Sequence, residues 1–317
     1  MLKRRLQNRI AESRWALPLT ALYGIAIVVI LGAVSQKMWA QTTLLALSTL
    51  LMVELNNANA LIRIYSRMVS CSYLVLMLMA AFLFPSVEGG IVGLSFITFY
   101  VFFLQAYQDK TAVGPIYTAF LAIGIASLFF VQIFFFVPLF WLLMAVRLQA
   151  FSLRTFCASL LGLITPYWFL AVYFLYQADY DTPQRHFAEL VRFAQPAIID
   201  IPQHTHQLVT FAFIVVLTFT GIIHFLRQRS KDKLRTQMIY ELFLAVTLFT
   251  VVFLVLQPQH NDFLLRILII HTAVFIGHFV SLTHTKITNI AFIVILVLTL
   301  SLTAFNLVHS SQFIIHS

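Results

Sequence analysis

Charged side chains are scarce in this sequence. Only 10% of its 317 residues are Asp, Glu, Lys or Arg, whereas an ordinary globular domain has about 25%. Hydrophobic residues make up 61% of the chain, and its mean hydropathy is +0.93. A chain with so few polar side chains cannot cover a globular surface that faces water, which excludes a soluble domain. The composition therefore predicts an integral membrane protein.

Cysteine is also rare, and its two residues, Cys71 and Cys157, fall near predicted cytoplasmic ends of helices. No structural disulfide is expected in that reducing compartment. The formal charge of +9 does not indicate nucleic acid, because sixteen of the 20 Lys and Arg residues fall on one side of the predicted topology. This bias is typical of basic cytoplasmic loops. The sequence thus predicts no nucleic-acid partner, and it indicates no cofactor and no metal.

Apolar runs separated by short polar segments predict an all-α, polytopic transmembrane bundle of about eleven spans (ten or eleven) with a cytoplasmic N-terminus. A basic segment, 1–14, precedes seven predicted spans in 15–176 and four in 207–308. A loop at 177–206 and a tail at 309–317 are predicted on the outer side. The predicted spans are Trp15–Ser35, Trp39–Leu55, Met68–Phe84, Gly90–Ala106, two within Ala112–Val146, Ser152–Tyr176, Gln207–Leu226, Met238–Leu256, Phe263–Leu282 and Ile287–Val308.

The stretch 112–146 is too long for one ordinary span and short for two. Charges on either side favour two short helices that turn near Phe130–Gln132, because Lys110 and Arg147 then share the cytoplasmic side. A re-entrant hairpin keeps the same sidedness and is the alternative interpretation.

The predicted outer loop, 177–206, contains a helix signal. Thr182 followed by Pro183 is typical of a helix start. Apolar and charged residues then separate onto opposite faces until Pro196, which predicts a short amphipathic helix at the membrane–water interface.

Five polar residues of this loop form a candidate catalytic set on the outer face: Arg185, His186, Arg192, His204 and His206. Arginine can hold the diphosphate of a polyprenyl-linked glycan, and histidine can act as a general base. The alternative is an ordinary solvated loop.

A second candidate set, Glu54, Asn57, Arg63 and Arg67, lies at a predicted cytoplasmic junction. The two arginines can grip a phosphate or a lipid headgroup there. The alternative is a capped helix end with arginines that only set the topology.

Polar residues inside predicted spans form a third set, Glu241, His271 and His278. The two histidines are seven residues apart and therefore share one helix face, where they can relay protons or pack as buried polar side chains. Glu241 follows the basic loop Arg227–Arg235, so we expect it to pair with an arginine of that loop.

Three motifs suggest a family. Residues Asn56–Leu61, Gly124–Phe130 (GIASLFF) and Leu161–Tyr167 (LGLITPY) together resemble an uncharacterised, domain-of-unknown-function family of polytopic inner-membrane proteins from the Bacteroidota. The resemblance implies an architecture and a location in the bacterial inner membrane. It implies no catalytic residues, because the family has no established activity.

Three classes of function follow from these features. We favour a non-enzymatic component of the cell envelope or subunit of a membrane complex, because buried charge is scarce and the loops are short. The alternatives are an enzyme acting on polyprenyl-linked glycans (a glycosyltransferase, polymerase or ligase) and a transporter or flippase. The expected partners are the lipid bilayer, other envelope membrane proteins and polyprenyl-phosphate lipids.

Overall fold

The chain is mostly helical in the residues that its computed structural model describes, which are 5–192 and 201–315. The side chains of 201–204 and 310–315 lie outside this description. No β-strand occurs among these residues. The α-helices are α1 (Leu6–Ala11), α2 (Ala16–Ile30), α3 (Trp39–Asn59), α4 (Met68–Met79), α5 (Val87–Phe103), α6 (Val113–Ser127), α7 (Phe136–Val146), α8 (Leu153–Gln177), α9 (Asp181–Ala188), α10 (Ile201–Gln228), α11 (Leu234–Leu256), α12 (Asn261–Leu282) and α13 (Lys286–Ile315).

Each of the eleven predicted apolar segments contains a helix, so the all-helical prediction is confirmed. Six helical segments are long and apolar enough to cross a membrane: Val87–Ala106, Leu153–Gln177, Thr205–Lys231, Leu234–Leu256, Pro258–Leu282 and Lys286–His309. Shorter apolar helices occupy Ala16–Ile30, Met68–Met79, Val113–Ser127 and Val131–Val146. The membrane character follows from these helices, and the count of eleven crossings stays a prediction.

The stretch 112–146 forms two helices, as predicted. Helix α6 ends at Ser127, and a 3-10 turn, Val131–Phe135, leads into α7. The intervening break at residues 128–130 lies next to the predicted turn. That each arm of this hairpin crosses the bilayer stays a prediction.

Two helices extend beyond the predicted spans. Helix α10 begins at Ile201, inside the segment assigned to the outer loop. Pro202 then lies in the first turn, where proline is tolerated because no backbone bond is lost. Helix α13 continues to Ile315, through most of the predicted tail at 309–317. Polar residues ended the hydropathy signal there, but no Gly or Pro interrupts the helix.

A short helix is present in the segment 177–206, but its start is not at Thr182. Helix α9 begins at Asp181 because the carboxylate of Asp179 caps it. Asp179 Oδ1 accepts hydrogen bonds from the amides of Asp181 and Thr182, both at 3.1 Å, and Oδ2 accepts one from the Thr182 hydroxyl at 2.6 Å. An acidic side chain that satisfies the first amides is a favourable helix start. Residues 193–200, including Pro196, lie outside the described residues.

The chain divides into two compact units whose segments alternate along the sequence. Unit 1 comprises Met1–Gly90, Ile198–Lys233 and Leu265–Ser317, and unit 2 comprises Ile91–Ala197 and Leu234–Leu264. In unit 1, α4 packs against α2, α3 and α13. One buried apolar cluster joins α2 to α4 and the residues after it: Ile27, Val28, Leu31, Ala33, Leu74, Leu78, Ala81 and Phe84.

The N-terminal helix α1 closes the end of α12 in unit 1. Gln7 Nε2 donates to the carbonyl of Val280 at 2.8 Å, and Asn8 Nδ2 donates to the carbonyl of Thr283 at 2.9 Å. The last carbonyls of a helix have no partner within it. Both side chains are buried and supply those partners, which explains why α1 is polar where it meets the rest of unit 1.

Aromatic rings form the core of unit 2. The Phe99 and Phe140 ring centroids are 4.2 Å apart, and those of Tyr100 and Phe243 are 4.6 Å apart. These rings come from α5, α7 and α11 and are fully buried. Each such pair contributes about 0.5–1.5 kcal/mol beyond the burial of its area, so the core holds three helices together.

Helices α6 and α8 approach each other closely because a glycine on each helix lies against the backbone of the other. A Cβ atom on Gly162 would lie 2.5 Å from the carbonyl oxygen of Tyr117, and one on Gly124 would lie 2.9 Å from that of Leu163. These neighbours are backbone atoms, which cannot move aside. Small residues at helix contacts of this kind allow tight packing within membranes.

We expect Gly162→Ala to lower the free energy of unfolding of the chain in detergent by about 1–3 kcal/mol, as overpacking of a tight contact does. Thermal or denaturant unfolding of purified protein measures this loss. Gly114→Ala on α6 is the matched control, because a Cβ atom there meets nothing within 4 Å. Equal stability of the two variants would contradict the glycine contact.

Candidate functional site

The segment Arg227–Arg235, which joins α10 to α11, contains five basic residues but one acid, Asp232. An acid in such a segment could pair with the neighbouring cations while it stays exposed to water. Instead, the Asp232 side chain is only 3% exposed. Burying a carboxylate is costly unless it is paired. The side chains that contact Asp232 therefore define a candidate site in unit 1.

Asp232 contacts a buried histidine and an arginine. Its Oδ2 lies 3.1 Å from Nε2 of His278, a residue that is fully buried. Its Oδ1 lies 3.8 Å from NH1 of Arg63, which also donates to the carbonyl of Lys231 at 3.3 Å. The carboxylate therefore has a partner on each oxygen, and Nε2 of His278 carries the hydrogen that Oδ2 accepts.

A second histidine completes this group. The ring of His224, on α10, lies 5.3 Å from the ring of His278 between centroids, at an angle of 57°. Nε2 of His224 is buried and has no hydrogen-bond partner among the described residues. We refer to Asp232, His278, His224 and Arg63 as the Asp232 cluster.

Close packing between α4 and α12 positions the arginine of this cluster. A Cβ atom on Gly277 would lie 2.9 Å from the amide nitrogen of Val69, so only glycine fits there. The hydroxyls of Ser66 and Ser281 are 2.9 Å apart, and Asn56 Nδ2 donates to the Ser66 carbonyl at 3.1 Å. These contacts fix the α3–α4 connection against α12 and direct Arg63 toward Asp232.

The contacts of the Asp232 cluster are compatible with two roles, one chemical and one structural. A carboxylate that accepts from one imidazole nitrogen fixes the orientation and tautomer of that ring, as it does in proton-transfer and metal sites. The same contacts also tie the α10–α11 loop to α12 and to the α3–α4 connection. Among the described residues, no group of three or more His, Cys, Asp or Glu side chains is placed to hold a metal ion.

The structure brings only one of the two predicted intramembrane histidines into this cluster. His271 is also fully buried on α12, but it lies seven residues away, which is about 10 Å along a helix. The shared helix face that the spacing predicted therefore does not produce a histidine pair. The nearby ring of His278 is instead His224, which the sequence analysis missed.

Glu241, in unit 2, forms an ion pair with Arg147 at the end of α7. The Glu241 side chain is 8% exposed and that of Arg147 is 39% exposed, so the carboxylate is buried while the guanidinium reaches water. We expected Glu241 to pair with an arginine of the adjacent loop Arg227–Arg235. The structure shows a partner, Arg147, that is distant in the sequence. Arg235 of that loop donates to the carbonyl of Leu104 at 3.5 Å.

The four residues of the predicted phosphate or headgroup site have different surroundings. Glu54 is exposed. Arg67 lies over the ring of Tyr65 and donates to Asn57 Oδ1 at 3.4 Å, whereas Arg63 contacts Asp232. The two guanidinium groups thus have different partners, and a shared anion site stays a prediction.

The predicted outer-face set is divided between the two units. Arg185 and Arg192 are exposed in unit 2, where His186 Nε2 lies 3.4 Å from the hydroxyl of Tyr167. His206 belongs to unit 1, where it is buried and its ring lies 5.4 Å from that of His309. The side chain of His204 lies outside the described residues.

We expect Asp232→Ala to lower the free energy of unfolding by about 1–3 kcal/mol, because it leaves the buried Nε2 of His278 without its hydrogen-bond partner. Arg63→Ala should cost at most about 1 kcal/mol, since its side chain is 37% exposed. Unfolding of the purified chain in detergent measures both. Lys233→Ala, an exposed residue in the same loop, is the control, and an equal loss in the control would refute a specific role for Asp232.

Comparison with known proteins gives no match to a family model, to a curated protein or to a solved structure. The function is therefore argued from the residues and contacts of the chain itself.

Proposed function

We propose that the chain is a multi-pass protein of a bacterial inner membrane, with its N-terminus in the cytoplasm, that serves as a component of a membrane complex of the cell envelope. In this proposal it is a structural subunit and performs no chemistry of its own. We also propose that the resemblance of residues 56–176 to polytopic inner-membrane proteins of the Bacteroidota reflects membership of that family.

The arrangement of the basic residues supports the proposed orientation. Of the 20 Lys and Arg residues, sixteen lie in segments that this topology assigns to the cytoplasm. Basic residues near short loops resist translocation, so such a bias sets the orientation of a multi-pass protein. The six long apolar helices support insertion in a membrane independently of this count.

The observation that carries the structural role is the use of buried polar side chains as ties between helices. Asn306 Nδ2 donates to the Met79 carbonyl at 2.7 Å and lies 2.8 Å from the Thr210 hydroxyl, which joins three helices of unit 1. Arg266 donates to the carbonyls of Leu83 and Ser86. Polar bonds of this type hold membrane helices together.

Within each unit, the candidate chemical residues already contact other side chains. Glu241 pairs with Arg147 in unit 2, and His278 contacts Asp232 in unit 1. Polar groups that are satisfied by neighbouring helices support packing over chemistry.

An enzyme acting on polyprenyl-linked glycans at the outer face is the second candidate. One observation favours it: His186 and the Tyr167 hydroxyl lie together on a cavity of about 530 Å³ in unit 2. Arg185 and Arg192, which would hold a diphosphate, are not among the described residues that line this cavity. The structural role is therefore the better supported of the two.

Reporter fusions test the location and orientation. We expect alkaline phosphatase to be active when it is fused after Arg192 and inactive when it is fused after Arg229 or Arg14, because the enzyme folds only outside the cytoplasm. A fluorescent protein fused at the same three points should give the opposite pattern. Activity after Arg229 would overturn the proposed topology.

Complementation of a deletion strain separates the two candidate functions. Under the structural role, chains carrying His204→Ala with His206→Ala, or Arg185→Ala with Arg192→Ala, should restore the wild-type pattern of surface glycans. Asn306→Ala should instead lower the amount of the chain in the membrane, with its complementation falling in proportion. Shortened glycans from an outer-face variant present at wild-type level would favour the enzyme.

A further inference from the structure

One cavity in unit 2 lies along the second half of α8, under α9. Its volume is about 530 Å³, within the range of small-molecule sites. One helical stripe of α8 forms its floor, and α9 with the turn before it forms the opposite side. The described residues that line it are Leu128, Tyr167, Leu170, Ala171, Phe174, Leu175, Asp179, Tyr180, Thr182, Pro183, Gln184, His186 and Phe187.

The shape of this cavity suits a single hydrocarbon chain. The α8 residues that line it follow at three- and four-residue spacing from Tyr167 to Leu175, so they form a strip about 12 Å long. The strip is apolar between Leu170 and Leu175, and rings from α8 and α9 enclose it. An elongated apolar strip fits a flexible chain better than a flat ring system.

Polar groups lie at both ends of the α8 strip, and Thr182 and Gln184 of α9 also line the cavity. At one end, the Tyr167 hydroxyl donates to Ser127 Oγ at 2.8 Å and lies 3.4 Å from His186 Nε2. The hydroxyl oxygen keeps acceptor capacity, and the imidazole can donate or accept. At the other end lies the carboxylate of Asp179, which caps α9. A ligand here can thus meet a tyrosine and a histidine with one neutral polar group.

The charges around the cavity disfavour an anionic ligand. None of the described residues that line it is Lys or Arg, the side chains that proteins use for phosphates and carboxylates. The Thr182 hydroxyl and amide hydrogen bonds hold the pKa of Asp179 below its usual range, so the acid stays charged at neutral pH. A negative group in the cavity would meet that charge.

The surface beside the cavity is one from which a lipid can enter. Phe169 and Val172, on α8 next to the lining residues, are 71% and 58% exposed, and Tyr176 is 88% exposed. Helix α8 is long and apolar enough to cross a membrane. Its exposed apolar residues therefore face hydrocarbon chains.

We propose that the cavity between α8 and α9 binds one hydrocarbon chain of a bilayer lipid that carries an uncharged, hydroxyl-bearing head. The chain lies on the strip from Leu170 to Leu175. The hydroxyl exchanges hydrogen bonds with Tyr167 and His186. This inference goes beyond the structural role and is independent of it.

Photolabelling of the full-length chain in phospholipid nanodiscs tests the proposal. The probe is a long-chain alcohol with a diazirine and an alkyne in its chain, and the comparison probe is the fatty acid with the same chain. We expect the alcohol to label peptides of α8 and α9 in preference to all other apolar helices, and the acid to label them about tenfold less. That ratio corresponds to about 1.4 kcal/mol of binding free energy.

Matched tryptophan variants locate the label. Ala171→Trp fills the cavity and should reduce labelling by the alcohol about tenfold, whereas Val172→Trp, which points away from the lining, should leave it unchanged. Leu175→Trp, a second lining position, repeats the test should Ala171→Trp fail to reach the membrane. Tyr167→Phe should lower labelling by the alcohol, because it removes the hydroxyl that bonds the head, without raising labelling by the acid.

Three results would overturn the proposal. They are labelling spread evenly over the apolar helices, equal loss in Ala171→Trp and Val172→Trp, or stronger labelling by the acid. The last result would assign the cavity to an anionic lipid and would support the second candidate function.

Discussion

A polar group in hydrocarbon has no water to bond with, so every such group must find its partner inside the protein. This constraint governs where the few polar side chains of the chain lie. Thr210, Thr218 and Thr247 each donate to the carbonyl one turn earlier in their own helix. Larger groups, such as Asn306, reach across to a neighbouring helix. The polar contacts therefore determine which helices stay together within each unit.

The existence of the helices could be predicted because their apolar runs have the length and hydropathy of membrane segments. Their ends could not be predicted in the same way. Hydropathy placed the start of the eighth segment at residue 207, but a helix extends for as long as its backbone bonds continue, and α10 begins at Ile201. Local chemistry decided the start of α9, where the carboxylate of Asp179 outcompeted the Thr182–Pro183 signal.

The candidate sites depended on pairings that a single sequence does not contain. Asp232 and His278 are 46 residues apart, and nothing in the basic loop marks its one acid as the buried partner of a histidine. Glu241 contacts an arginine from α7, although an arginine-rich loop lies directly before it. The α8 stripe was present in the sequence, but a cavity forms only because the turn at Asp179 brings α9 back over it. The kinds of side chain that form the candidate sites could be predicted from the sequence, but the residues that they contact could not.

The short apolar helices have a consequence for the membrane around them. Helices α2 and α6 have 15 residues each and are about 22 Å long, whereas the hydrocarbon layer is about 30 Å thick. Wherever such a helix crosses the bilayer, the lipids beside it must compress or be replaced by lipids with shorter chains. Helices α8 and α13, with 25 and 30 residues, match or exceed the full thickness. Within each unit, a short helix and a long helix therefore require different thicknesses of hydrocarbon beside them.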